Sequence, residues 1–289
     1  MYKKFNKTYT FSFEYFSSNP FICNHYKFKS DQEYEERRIE YDKDGHMKNK
    51  LGHSQTSNWK KKSNSINNTI LKDKYSKLLK NFMKTKIKDL PQVTKKNISV
   101  VTMFRYEDNY LLEWLYYYIM HGIDHFYLYS HKNTEKTYNI LKPFINKGYV
   151  TFINWTDNEL EKIPKDKRRL EYGGIVGWDK ISLQNLAFMD FVKNYKNDTK
   201  WIIKVDVDEF IYLSDNNLFI KDILNNTEKN YFSVPRVDFG NNGHKTKPSG
   251  LIIDNYTKSE EKSSSSKAIA LTKFISNDDK GGAHNFKMI

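Results

Sequence analysis

One cysteine, Cys23, is all that the 289 residues contain, so the chain can form neither an intrachain disulfide nor a cysteine-ligated zinc site. Thiol scarcity of this kind suits a reducing compartment. Long apolar runs are missing too. No stretch approaches the roughly 18 apolar residues of a membrane span. The opening Met1–Lys7 is not followed by an apolar signal core, because Ser12 and Glu14 interrupt Phe11 to Phe16. These absences place the expected location in the cytoplasm or at the periphery of a membrane. They also leave the Asn-x-Ser/Thr triplets at Asn154 and Asn197 without weight. No P-loop, no GxGxxG before a helix and no HExxH occurs, which removes three common phosphate- and zinc-based chemistries.

Acidic residues are scarce in one region only. Residues 1–97 carry 22 Lys and Arg against 10 Asp and Glu, whereas residues 98–289 carry 26 against 25. The overall charge of +13 therefore belongs to the first third. That third reads as a separate, basic, Lys/Asn-rich accessory region, partly disordered, with the Lys48–Asn68 tract as its least packable part. Such an arm suits RNA, phospholipid or another acidic partner; a solvated extension explains it equally well. Ile70 to Ile87 has the spacing of an amphipathic helix, ended by Leu90-Pro91.

From Ile98 the pattern changes. Strands are expected at 98–104, 125–129, 149–154 and 201–205. Helices are expected at 107–120, stopped by Gly122, at 134–145 with Asn133 as cap, and at 179–195. Three further strands follow at 231–237, 251–256 and 268–274. Alternating strands and helices predict an α/β domain over 98–289, a mostly parallel sheet flanked by helices. The 40 Tyr and Phe residues sit mainly inside apolar runs such as Leu115–Ile119, so packing explains them before base stacking does.

The most informative segment is Trp201-Ile202-Ile203-Lys204-Val205-Asp206-Val207-Asp208-Glu209-Phe210. An apolar strand ends in carboxylates at i and i+2. Two such groups at a strand mouth can share a hard divalent cation, Mg²⁺ or Mn²⁺, whose shell is completed by substrate phosphates. Ligands of α/β sheets bind beyond the carboxyl ends of strands, where this pair falls.

Several blocks in order extend that reading. Val101–Glu107 with Tyr110–Trp114, His121–Tyr129, Gln184, Trp201–Phe210, Phe239–His244, Lys267 and His284 resemble the corresponding pieces of glycosyltransferase family 92 and the similar family-2-like domains. The resemblance spans residues 98–284 and implies the GT-A (Rossmann-like) fold and a hexosyltransferase-type enzyme with a DxD motif. It implies transfer from a nucleotide sugar, expected to be a UDP-sugar, to a glycan or protein acceptor, with inversion. By the same resemblance Asp206, Asp208 and His284 are metal ligands, and Glu107, Asp206, Gln184 and Lys267 bind the donor. Asp238 and Glu209 are the candidate catalytic bases. Three departures stand out: Tyr106 replaces an Asn, Ser130 replaces an Asp, and the chain ends soon after His284. They keep open an alternative, a degenerate member that binds a glycan or another partner without turnover.

Each remaining residue has a structural alternative. Trp114 reads as core, His121 and His125 as structural, and His244 as an exposed loop histidine or a phosphate contact. Gly173-Gly174 reads as a loop bordering the donor site.

Overall fold

The computed structural model describes residues 19–27, 29–43, 58, 60–167, 181–215, 218–261, 265–280 and 282–289. The expectations for the first 18 residues, for part of the Lys48–Asn68 tract and for the Gly173-Gly174 loop fall outside these.

Ten strands lie among the described residues: β1 (Phe21–His25), β2 (Ile66–Asn67), β3 (Ile98–Phe104), β4 (His125–His131), β5 (Val150–Trp155), β6 (Trp201–Lys204), β7 (Glu209–Leu213), β8 (Tyr231–Asp238), β9 (Lys258–Ser259) and β10 (Ser265–Leu271). Helices intervene as α1 (Asp31–Lys43), α2 (Ile70–Phe82), α3 (Asp108–Met120), α4 (Glu135–Asn146), α5 (Asn158–Glu161), α6 (Leu183–Asn194), α7 (Ile220–Asn225) and α8 (Ile252–Asn255). Eight strands form one sheet in the order β5-β4-β3-β6-β10-β8-β1-β7, and β2 pairs with β9 apart from it.

The sheet is mixed, which corrects the expectation of a mostly parallel one. β5, β4, β3 and β6 run parallel. β10 then runs antiparallel to both β6 and β8, and β1 lies parallel to β8 but antiparallel to β7. The helical crossovers that enforce parallel pairing stop after α6, and later connections are loops and short helices that leave direction free.

The parallel half follows from its sequence. Along β3 and β6, Val100 and Ile203 face one side, against Trp114 and Tyr118 of α3 and Phe144 of α4. Val101 and Ile202 face the other, against Phe188 and Phe191 of α6. Each fully buried side chain of this size contributes about 1.5–3 kcal/mol. Thr134 rather than Asn133 caps α4, its side chain accepting from the Thr137 amide, and Ser182 caps α6 in the same way. Gly122 ends α3 at φ +84°, and a Cβ there would meet Lys221 at 2.4 Å.

One further expectation is replaced. Leu251–Tyr256 is not a strand: its centre is the four-residue helix α8, whose Ile252 and Ile253 are buried. From the first 97 residues, β1 pairs within the large sheet. Phe21, Cys23 and Tyr26 join the main core with Leu71, Tyr75 and Leu79 of α2.

Candidate active site

The polypeptide turns between β6 and β7, and this turn presents the acidic pair. Asp206 is about one-third exposed and Asp208 is buried. The turn is braced from within by Glu209, which is completely buried. Glu209 Oε2 accepts from the Asp206 amide at 2.8 Å and lies 2.8 Å from Lys267 Nζ, while Arg236 approaches Oε1 at 3.5 Å. Both Glu209 oxygens are thus engaged within the turn, and the side chain has no exposed surface.

Lys267, on β10, reaches across to Asp206 Oδ2 at 2.7 Å. Burial alone would push its ammonium towards neutrality, but Asp206 and Glu209 reverse this and hold it above its ordinary value. Gln184 of α6 approaches Asp206 Oδ1 at 3.4 Å. The structure thus brings Asp206, Gln184 and Lys267 together.

Asp208 has different neighbours. His25 Nε2 lies 3.7 Å from Oδ1 and an Arg37 nitrogen 3.9 Å from Oδ2. Among the described residues, neither oxygen receives a hydrogen bond. Burial opposes ionisation, yet His25, Lys29, Arg37 and Lys267 outweigh it and hold the carboxyl below its usual range. A buried, ionised carboxylate without short partners suits a hard cation arriving with its ligand.

Asp238 ends β8. His25 Nδ1 lies 2.8 Å and Arg236 Nε 3.3 Å from its Oδ1, while Lys27 stands 4.0 Å from Oδ2. Here too burial opposes ionisation, and His25, Arg236 and Lys27 reverse the effect, so the carboxyl stays ionised well below the usual range. The loop after it, Phe239–His244, borders a cleft of about 330 Å³ shared with Lys60, Asn64 and Lys258. At Gly240 a Cβ would fall 2.4 Å from the end of the Asn64 side chain, which would have to move aside. His244 Nε2 meets the Asn255 carbonyl at 3.1 Å, a structural contact.

Glu107 is buried at the start of α3 and held by Lys29 and Arg37, each at 2.5 Å. Its carboxylate faces these two cations rather than open space. Ser130 is buried at the end of β4, and its hydroxyl has no hydrogen-bond partner among the described residues.

His284 lies on the C-terminal loop, with Nδ1 3.1 Å from the Ser266 carbonyl. The residue as a whole is exposed while its ring stands amid protein; this desolvation, then Lys267 and Arg236, pushes the imidazole down to about 4. Lys204 anchors the loop, donating to the Gly282 and Asn285 carbonyls at 2.7 and 2.8 Å from beneath the Phe286 ring. Among the described residues no three His, Cys, Asp or Glu side chains are gathered to hold a metal ion. Asp206, Asp208 and His284 are therefore not assembled as a cage.

Sequence reasoning missed His25, Lys29, Arg37 and Arg236. They lie outside the blocks that carried the resemblance, and three of them come from the expected accessory region. Of the four, only Lys29 and Arg37 left a signal, in the excess of positive charge of that region.

No described helix is long and apolar enough to cross a membrane. No curated protein and no solved structure matches the chain. A model of glycosyltransferase family 92 matches residues 95–281, a span that holds Asp206, Asp208, Asp238 and Lys267. The chain belongs to glycosyltransferase family 92 and is a glycosyltransferase.

Proposed function

We propose that the chain transfers a hexose from a nucleotide sugar, a UDP-sugar, to a glycan or glycoprotein acceptor, with a divalent cation and with inversion, on a GT-A-type scaffold. The observation that carries this reading is Asp208: a buried carboxylate held below its usual range, whose oxygens receive no hydrogen bond among the described residues, two residues from a second carboxylate. Asp208 and Asp206 would hold Mn²⁺ or Mg²⁺, with His284, neutral at physiological pH, as a further ligand. Such ions take one or two carboxylates and complete their shells with phosphate oxygens, so no dedicated protein cage is required. When bound, the ion supplies charge neutralisation to the departing diphosphate.

The chain's own residues supply the remainder. Lys267 fixes the Asp206 carboxylate, and Gln184 restricts its other oxygen, which holds the donor-facing edge in one geometry. Asp238 receives the acceptor. Its Oδ1 faces His25 at hydrogen-bond distance, with Arg236 in ion-pair range, so Oδ2 accepts the hydrogen bond of the incoming hydroxyl. As the acceptor oxygen forms its bond to the anomeric carbon, its proton passes to Asp238 and the bond from that carbon to the diphosphate breaks with its electron pair. The surrounding cations keep Asp238 ionised and lower its basicity, so orientation of the hydroxyl comes first and proton acceptance follows as the new bond forms.

The test is calorimetric titration of the chain with a panel of nucleotide sugars, with and without Mn²⁺. Micromolar binding of one donor that disappears without metal supports the reading. Metal-independent binding, or none from a folded sample, overturns it.

A further inference from the structure

β1 stands between β7 and β8, so the strands that flank the Asp208 turn and end at Asp238 are two ladder spacings apart, about 9–10 Å. Neither carboxylate spans that gap. His25 does. Its Cα is in register with Glu209 on one side and with Asp238 on the other. Nδ1 is 2.8 Å from Asp238 Oδ1, and Nε2 is 3.7 Å from Asp208 Oδ1. Because Asp238 is ionised and can only accept, Nδ1 carries the hydrogen of that bond. The ring is nearly enclosed, at 9% exposure, so its orientation is set by the strand and not by solvent.

We propose that His25 is a positioning residue for glycosyl transfer. It pins Oδ1 of Asp238, leaves Oδ2 as the oxygen presented to the acceptor hydroxyl, and stands between two carboxylates that would otherwise repel each other. The residue lies outside the matched span 95–281, so the site is completed by a strand from the N-terminal third. This role rests on the proposal that Asp238 receives the acceptor.

Three variants of the full chain test it. The readout is nucleoside diphosphate released from a nucleotide-sugar panel with Mn²⁺, water serving as the acceptor. His25→Phe keeps the ring volume and removes both nitrogens. It is expected to lower kcat by about ten- to a hundredfold while the donor KM stays within about threefold. His25→Asn returns an amide N–H near the position of Nδ1 and is expected to recover most of the loss. His25→Gln places its amide near Nε2 and is expected not to. Unchanged kcat in His25→Phe, or equal rates for the Asn and Gln variants, overturns the proposal.

A wild-type chain that releases nothing sinks the proposed function instead. The bridge is then judged without turnover, by ¹⁵N NMR of histidine-labelled protein. One imidazole Nδ1–H signal is expected to be hydrogen-bonded, to disappear in His25→Asn and to shift in Asp238→Asn. If no histidine signal responds to Asp238→Asn, the inference falls. Should His25→Phe fail to fold, the Asn and Gln pair and the spectrum still decide.

Discussion

Both halves of the sheet bury apolar side chains, and the mixed half adds to them a set of paired charges. Between β5 and β6 the strands bury aliphatic and aromatic side chains against helices on both faces. Between β10 and β7 the strands also enclose charge: Lys267 and Glu209 are each at most 1% exposed, and Asp208 is 7% exposed. The contrast recurs in two carboxylates. Glu113 of α3 is buried with no cation in contact among the described residues, and desolvation raises it to about 8 even though the Ile252 and Ile253 amides donate to it. Asp208 is buried among cations and is held low. Burial decides the protonation of an acid only until partners of opposite charge are supplied. Charge is tolerated where strands from distant parts of the chain deliver counter-ions together.

Substitutions can break this contrast. The largest effect is expected from Asp208→Asn, which keeps the shape and removes the charge. Donor-dependent release of nucleoside diphosphate should fall to below roughly one-hundredth, with the fold intact by circular dichroism. Activity retained in this variant would falsify the metal assignment. Next comes Lys267→Met. It strands Asp206 and Glu209 without their shared cation, and urea unfolding should show a loss of about 3–5 kcal/mol, as for other broken buried pairs. In the parallel half, Leu128→Ala should cost about 2–4 kcal/mol by the same measurement, through the cavity it leaves on β4. Nucleotide binding should survive it, and a loss of binding without a loss of stability would erase the distinction between the halves.

The smallest effect concerns pH. Folding raises the Glu113 pKa from its ordinary value of 4.5 to about 8, so the native state holds a proton that the unfolded chain releases. Stability from this group is full below about pH 4.5 and declines as pH rises towards 8. Glu113→Gln should flatten that part of the profile and be the more stable chain at pH 9. Thermal unfolding across pH 5–9 measures it, and parallel curves for the two proteins would contradict the assignment.

The parallel half was legible because its signal is local. The apolar runs at 98–104, 125–131 and 201–204 and the helices between them need no knowledge of distant partners. The acidic pair was legible for the same reason, since strand end and spacing lie within ten residues. The mixed half was not. Phe21–His25 shows no motif, and its ladder partners, 209–213 and 236–238, lie far along the chain. Charge that looked like a solvated basic arm proves in part to be Lys29 and Arg37 holding Glu107. Ile252-Ile253 looked like a strand because a buried apolar pair reads alike in either geometry, and only the Glu113 side chain receiving both amides favours a helical turn.

The position of β1 also sets an order of events during synthesis. Phe21–His25 leaves the ribosome early, but the strand it pairs with at 209–213 is made about 190 residues later. At about 5–20 residues per second, that segment waits roughly 10–40 s with its ladder hydrogen bonds unmade. The parallel half can assemble meanwhile, since its strands pair with neighbours already made. Among the described strands, the first translated is thus among the last to be seated. Until it is seated, the slot between β7 and β8 stands open to any extended segment, its own or another's, which makes the nascent chain most prone to mispairing just before the enzyme is complete.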